Sequence, residues 1–162
     1  MPDLTKEPYF DTTKSERTKG YQRVLGVPEK YIQARELTVL QGMVQDQLKD
    51  IADTLYKNGS VIEGCQIILD GNNVKITAGK IYYNGFIVPS PETDLVITGS
   101  GEETIGVKIT ETIITEDIDS SLRGQVPGSE AYGQPGAHRL KVEASVVIGE
   151  DAQLNLYKLV NG

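Results

Sequence analysis

The sequence predicts an α+β protein, with a long N-terminal amphipathic helix followed by a mostly antiparallel β sandwich or barrel-like domain. Three observations predict it. Between Tyr31 and Lys57 the apolar residues recur at helical spacing, with no proline and a single internal Gly42. From Val61 onward the pattern changes to short β-branched, partly alternating runs. Among those runs, Ile81-Tyr82-Tyr83, Asn84-Gly85 and Phe86-Ile87-Val88 read as a hairpin with a type I′ turn, because Asn-Gly tolerates positive φ at both central positions.

The elements divide the chain into an extended arm (1–20), a helical oligomerisation segment (21–60) and a β-rich domain (61–162). The arm holds two prolines and many charges, with little apolar beyond Tyr9 and Phe10; Thr12 to Lys19 offer nothing to bury. Such an arm is either disordered or ordered against a neighbour. In the helical segment, Leu37, Leu40, Val44, Leu48, Ile51 and Leu55 form a stripe with spacings of 3, 4, 4, 3 and 4, a repeat of 11 residues. An 11-residue repeat keeps the stripe straight or slightly right-handed, unlike a left-handed zipper. Glu36, Gln41, Gln45, Asp46, Lys49 and Asp53 lie off it, and Asn58-Gly59 supplies the stop. About 27 residues would reach roughly 40 Å, long for so small a chain. That length favours helices from several subunits around one axis, although a surface helix lying on its own domain fits the period too.

In the β region, Val61–Leu69 reads as one strand, closed by a turn at Asp70-Gly71-Asn72-Asn73. Val74–Thr77 alternates, the Asn-Gly hairpin follows, and Pro89 and Pro91 end it. Further strands are expected at Asp94–Thr98, Glu103–Thr115, Arg139–Ile148 and Leu154–Val160, with Ile105, Val107 and Ile109 on one buried face. Residues 116–137, rich in Gly and Pro, read as a long loop that is functional or packed against a partner.

Composition narrows the function. The 162 residues are 38% hydrophobic and 6% aromatic with no Trp, a lean core that points to apolar surface buried against other subunits. A net charge of −7 disfavours phosphate-rich partners, so neither nucleic acid nor an anionic membrane is expected. The polar N-terminus lacks the apolar run of a signal peptide, and no stretch is long and apolar enough to span a bilayer. One cysteine, Cys65, excludes an intrachain disulfide and fits a small buried hydrophobe.

No catalytic set emerges. His138 is the single histidine and reads as a hydrogen-bonded surface residue; no motif supports a Cys65–His138 pair, and one His with one Cys makes no zinc set. Glu102, Glu103, Glu111, Glu116, Asp117 and Asp119 are numerous enough for paired-acid sugar cleavage, but the absent Trp platform favours a solvated acidic face. Asp70-Gly71-Asn72-Asn73 lacks the later Glu of a calcium loop, and Gly99-Ser100-Gly101 lacks the Lys and helix of a phosphate cradle. The expectation is a protein without enzyme activity, cofactor or metal.

One resemblance covers nearly the whole chain from residue 21. Arg23-Val24-Leu25, a Gly/Pro turn, and Ile32-Gln33-Ala34-Arg35-Glu36-Leu37-Thr38-Val39-Leu40-Gln41 resemble the opening of a group of bacteriophage tail-fibre and baseplate proteins with an N-terminal "QAREL" helix module. The likeness continues at Asn58-Gly59-Ser60-Val61, at Gly79 to Gly85, and at Gly136-Ala137-His138-Arg139-Leu140-Lys141-Val142. Two departures stand out. Gly26-Val27-Pro28-Glu29-Lys30 replaces the group's Pro-Gly turn, and the group's members continue far beyond the point where this sequence stops, as if this were the attachment module alone.

The resemblance implies an oligomeric structural component of the virion tail (baseplate, collar or fibre attachment), made in the host bacterial cytoplasm. It would be a homotrimer contacting other tail proteins. The stripe from Leu37 to Leu55 is then the oligomer interface, with Arg35, Glu36, Tyr132 and His138 as partner contacts. The alternative is a receptor- or carbohydrate-binding tail tip that uses the 116–137 loop.

Overall fold

A computed structural model describes residues 2–160. Met1, Asn161 and Gly162, the outer ends of the predicted arm and β domain, lie outside the described residues.

The long N-terminal helix is not there. Two short helices, α1 (Thr13–Thr18) and α2 (Ala34–Ala52), precede nine strands. At 19 residues α2 spans about 28 Å, an ordinary length, so length no longer argues for partners. Local interactions cut it at both ends. Gln33 is extended (φ −86°, ψ 149°), and Glu36 Oε2 accepts the Gln33 N–H at 2.9 Å, the return half of a capping box. Beyond Ala52 the chain turns so that Asp53 and Asn58 reach the Asn84-Gly85 hairpin, at Tyr82 and Asn84, and Tyr56 stacks obliquely on Tyr82 with ring centroids 5.8 Å apart.

The predicted extended arm is also partly helical. α1 packs on α2, Thr13 is buried, and Arg17 pairs with Asp46 at 3.1 Å and with Asp50. A β-carbon on Gly42 would meet Thr13 Oγ1 at 2.2 Å, so the one glycine inside the helix marks where α1 touches it.

The β-rich region is antiparallel as expected, but as three small sheets around one core rather than a sandwich or barrel. β1 (Val61–Gly64), β4 (Gly79–Tyr83) and β5 (Phe86–Ser90) form one sheet in the order β1-β4-β5. β2 (Ile67–Asp70), β3 (Asn73–Ile76) and β6 (Thr93–Val96) form the second, in the order β2-β3-β6. The third has the long β7 (Glu102–Ile114) between β8 (Arg139–Ile148) and β9 (Leu154–Val160). The single strand expected at Val61–Leu69 breaks into β1 and β2, because Gly64 and Cys65 take φ of +64° and +51°. Gly64 is required there: a side chain would strike the Ala78 carbonyl at 2.1 Å. Pro89 sits inside β5 instead of ending it, which an edge strand permits since its missing N–H need not face a partner.

The core draws on all three sheets. Cys65, Val74, Ile76, Ile81, Val88, Ile97, Ile105, Val107, Ile109, Ala144 and Val146 form one buried cluster, and every member comes from residue 65 onward. Ile105, Val107 and Ile109 occupy the inward phase predicted for β7. Asn84 and Gly85 have φ of +46° and +84°, the signature of the type I′ turn, and Tyr83 pairs with Phe86 across it.

Candidate interaction surface

On an α-helix successive residues turn by about 100°, so Leu37, Leu40, Val44, Leu48 and Ile51 of α2 fall within a sector about 80° wide, and Leu55 follows in the turn beyond Ala52. That sector faces away from the chain's own body. All six are exposed, from 44% at Leu40 to 72% at Leu55. The inward side carries the polar residues instead. Asp46 and Asp50 hold Arg17, Gly42 receives Thr13, and Gln45 and Lys49 lie over the hairpin turn at Gly85. Val39 and Met43 are the helix's two buried apolar residues. A surface helix ordinarily turns its apolar stripe inward; α2 does the reverse.

Polar contacts fix this orientation. Tyr82 Oη donates to Asp53 Oδ1 at 2.6 Å while Lys49 pairs with the same carboxyl, and both partners hold it below the usual carboxylate range. The Asp53 carboxylate and burial together raise the Tyr82 phenol above its ordinary value, burial being the larger cause. Asn58 brackets the turn, its Oδ1 accepting the Asn84 N–H at 2.8 Å and its Nδ2 donating to Asn84 Oδ1 at 3.0 Å. The Asn58-Gly59 stop therefore also docks the hairpin.

Among the other predicted contacts, Arg35 and Glu36 act locally. Arg35 Nε donates to Gln33 Oε1 at 2.7 Å, and Glu36 caps the helix as described. Tyr132 and His138 lie in different settings. Tyr132 is exposed in the long loop, which closes on itself through a Gly124–Tyr132 bridge, a Gly124 N–H to Gln134 carbonyl bond of 3.0 Å, and a 3₁₀ turn at Ser120–Leu122. The loop is thus a compact excursion with structure of its own. His138 at its end is half-buried: its Nδ1 lies 2.6 Å from Tyr9 Oη, its Nε2 3.3 Å from Glu116 Oε2, and its ring meets Tyr9 edge-on. Tyr9 and Glu116 had no local sequence signal linking them to His138, since 129 residues separate Tyr9 from it.

Cys65 is fully buried, and desolvation raises its thiol above the ordinary value, only partly offset by the nearby Ser90 hydroxyl. Among the described residues no group of three or more His, Cys, Asp and Glu is placed to hold a metal ion, and no helix is long and apolar enough to cross a membrane.

Residues 7–162 match the family described as "Domain of unknown function (DUF4815)". The chain belongs to that family. The match takes in α1, the α2 stripe and all three sheets, so arm, helix and β region form one family unit. No curated protein matches the sequence. One chain from a solved structure, "The baseplate complex from the type VI secretion system", is similar over 85% of this chain, at 11% identity and a TM-score of 0.45. This chain covers 54% of that one, about half its length, and the likeness is too slight to assign fold or role.

Proposed function

We propose that this DUF4815 chain is a non-catalytic structural component of a bacteriophage tail (a baseplate, collar or fibre-attachment protein) that works as an assembly module. The observation that carries this reading is the outward-facing stripe of α2, held in place by α1 on one flank and the hairpin on the other. A helix clamped with its apolar side toward solvent is built to be covered by something else. The resemblance of Arg23–Leu25 and Ile32–Gln41 to tail-fibre and baseplate proteins supplies the setting. It also implies a homotrimer and contacts with other tail proteins. The sequence supports the non-catalytic part, since its one histidine and one cysteine belong to no nucleophile–base motif.

Locating the chain by cryo-electron microscopy of intact phage particles tests the reading. Density for these three sheets in the baseplate, collar or fibre root is the expected result, and particles that lack the chain would rule it out.

The exposed Tyr132 keeps a receptor- or carbohydrate-binding tip as the second reading. Glycan-array binding that disappears in Tyr132→Ala would favour it. The His138 ring is the weaker half of that site, being already engaged by Tyr9 and Glu116.

A further inference from the structure

We infer that the distal half of β7 is a docking lane for an extended segment of another protein, one that carries a lysine or arginine between two apolar residues at alternate positions. The lane is a surface apart from the α2 stripe, and its occupant does not depend on the tail reading.

The backbone is the first argument. β7 is the middle strand of its sheet, paired with β8 from Ile105 to Ile114 but with β9 only from Glu102 to Val107. On the β9 side the Val107 carbonyl accepts the Gln153 N–H at 3.0 Å, and the Ile109 N–H donates to Gln153 Oε1 at 3.1 Å. Backbone groups of alternate residues point to the same side of a strand. The Ile109 carbonyl, and the N–H and carbonyl of both Glu111 and Ile113, therefore face that side too. Among the described residues no strand or hydrogen bond reaches these five groups. Gln153 bounds the open stretch at one end. At the other the chain turns at Thr115, whose carbonyl accepts the N–H groups of Ile118 and Asp119. Between them lies about 13 Å of unpaired edge, the length of roughly five extended residues. A strand added there continues the line of β9 and completes the ladder.

The side chains are the second. Ile105, Val107 and Ile109 point inward, and the same alternation puts Glu111 and Ile113 on that face. Glu111 Oε2 is shielded from solvent and has no hydrogen-bond partner among the described residues. The carboxyl lies near the Tyr83 phenol, which burial first and this neighbour second hold above its ordinary value. An inward charge at a strand edge can also serve to repel other strands. A guard of that kind keeps its charge in water, whereas this oxygen is already desolvated, at a cost that an incoming cation offsets. In the added strand the residue opposite Glu111 is thus lysine or arginine. The residues two positions to either side, opposite Ile109 and Ile113, are apolar. The net charge of −7 draws such a basic segment in and turns an acidic one away.

The test uses the full chain and a fluorescent heptapeptide, Thr-Val-Thr-Lys-Thr-Val-Thr, alongside its counterpart with Glu in place of Lys. Adding the Lys peptide should slow hydrogen exchange at the Glu111 and Ile113 amides by at least about 10-fold, read by NMR. In fluorescence anisotropy the Glu peptide should bind at least about 10-fold more weakly. Glu111→Lys should reverse that preference. Ile113→Pro removes a lane-side N–H while sparing the β8 ladder, and should abolish binding of both peptides; should it fail to fold, Glu111→Gln, which should weaken the Lys peptide by about 10-fold, takes its place. Equal affinity for the two peptides overturns the inference, as does slowed exchange that spares Glu111 and Ile113. Failure of both peptides to bind overturns it too, and makes Glu111 the guard of its edge. Amides already protected without peptide, and released on dilution, would put a second copy in the lane and overturn it as well.

Discussion

In the β region apolar patterning and burial agree; in α2 they are opposed. Ile105, Val107 and Ile109 alternate along β7 and point into the core. Leu40, Val44 and Leu48 repeat as regularly along α2 and point away from it. Both patterns are equally strong in sequence, so periodicity states that a face is apolar and is silent on what covers it. In the β region the cover is two other sheets of the same chain. On α2 the flanks are already fixed by Arg17, Thr13, Tyr82 and Gly85, which leaves the stripe outside.

The sharpest way to test that contrast is to remove matched side chains from the two regions. Ile105→Ala, at a site with no exposure, should destabilise the chain by about 2–5 kcal/mol in urea unfolding. Leu48→Ala, measured where the chain is monomeric, should change stability by no more than about 0.5 kcal/mol, as for an ordinary surface position. Equal losses at the two sites would mean that α2 is packed by its own chain after all.

The clamp that holds α2 stripe-outward can be broken from either side. Gly42→Val forces a side chain into Thr13 and should cost about 1–3 kcal/mol; limited proteolysis should then cut the arm before residue 20 faster than in the wild type. Gly85→Ala places a β-carbon at φ +84° and within 2.7 Å of Gln45 Nε2, and the strain should cost about 1–3 kcal/mol. Hydrogen exchange in Tyr82–Val88 would report it. If both variants keep wild-type protection, the orientation of α2 has another cause.

The smallest effect is electrostatic. Lys49 and Tyr82 hold the Asp53 carboxyl below its ordinary value of 3.8, so its folded pKa is depressed relative to the unfolded chain. Its contribution is therefore fully present above that ordinary value, and it is lost as pH falls below it through the folded pKa. Tyrosine fluorescence during acid titration should show the helix–hairpin contact loosening below about pH 4. Asp53→Asn should flatten this part of the profile. A profile unchanged by Asp53→Asn would remove Asp53 from the clamp.

Much of the β region was legible. Arg139–Ile148 and Leu154–Val160 are strands over the predicted spans, and the Asn84-Gly85 turn is of the predicted type. Such features are written in local chemistry: alternation for strands, and tolerance of positive φ for the turn. The break between β1 and β2 was hidden, because VIEGCQIIL is apolar and β-branched on both sides. The positive φ of Gly64 and Cys65 there follows from the approach of Ala78, which is tertiary. The helix ran too long for a similar reason: Thr54 to Lys57 are compatible with helix locally, and the hairpin draws the chain away. Of the candidate contacts, Glu36 carried a readable capping signal, whereas the Tyr9–His138–Glu116 cluster joins residues too far apart for any spacing rule.

The sequence by itself determined that α2 has a straight, uncharged apolar stripe, that the strands have an inward phase, and where the hairpin turns. Each of these is a property of residues a few positions apart. Only the tertiary structure decided which way the stripe faces, because that depends on contacts between residues distant in sequence. The ion pairs and close approaches made by the opposite side of α2 join it to α1 and to the hairpin, and the apolar face is left exposed.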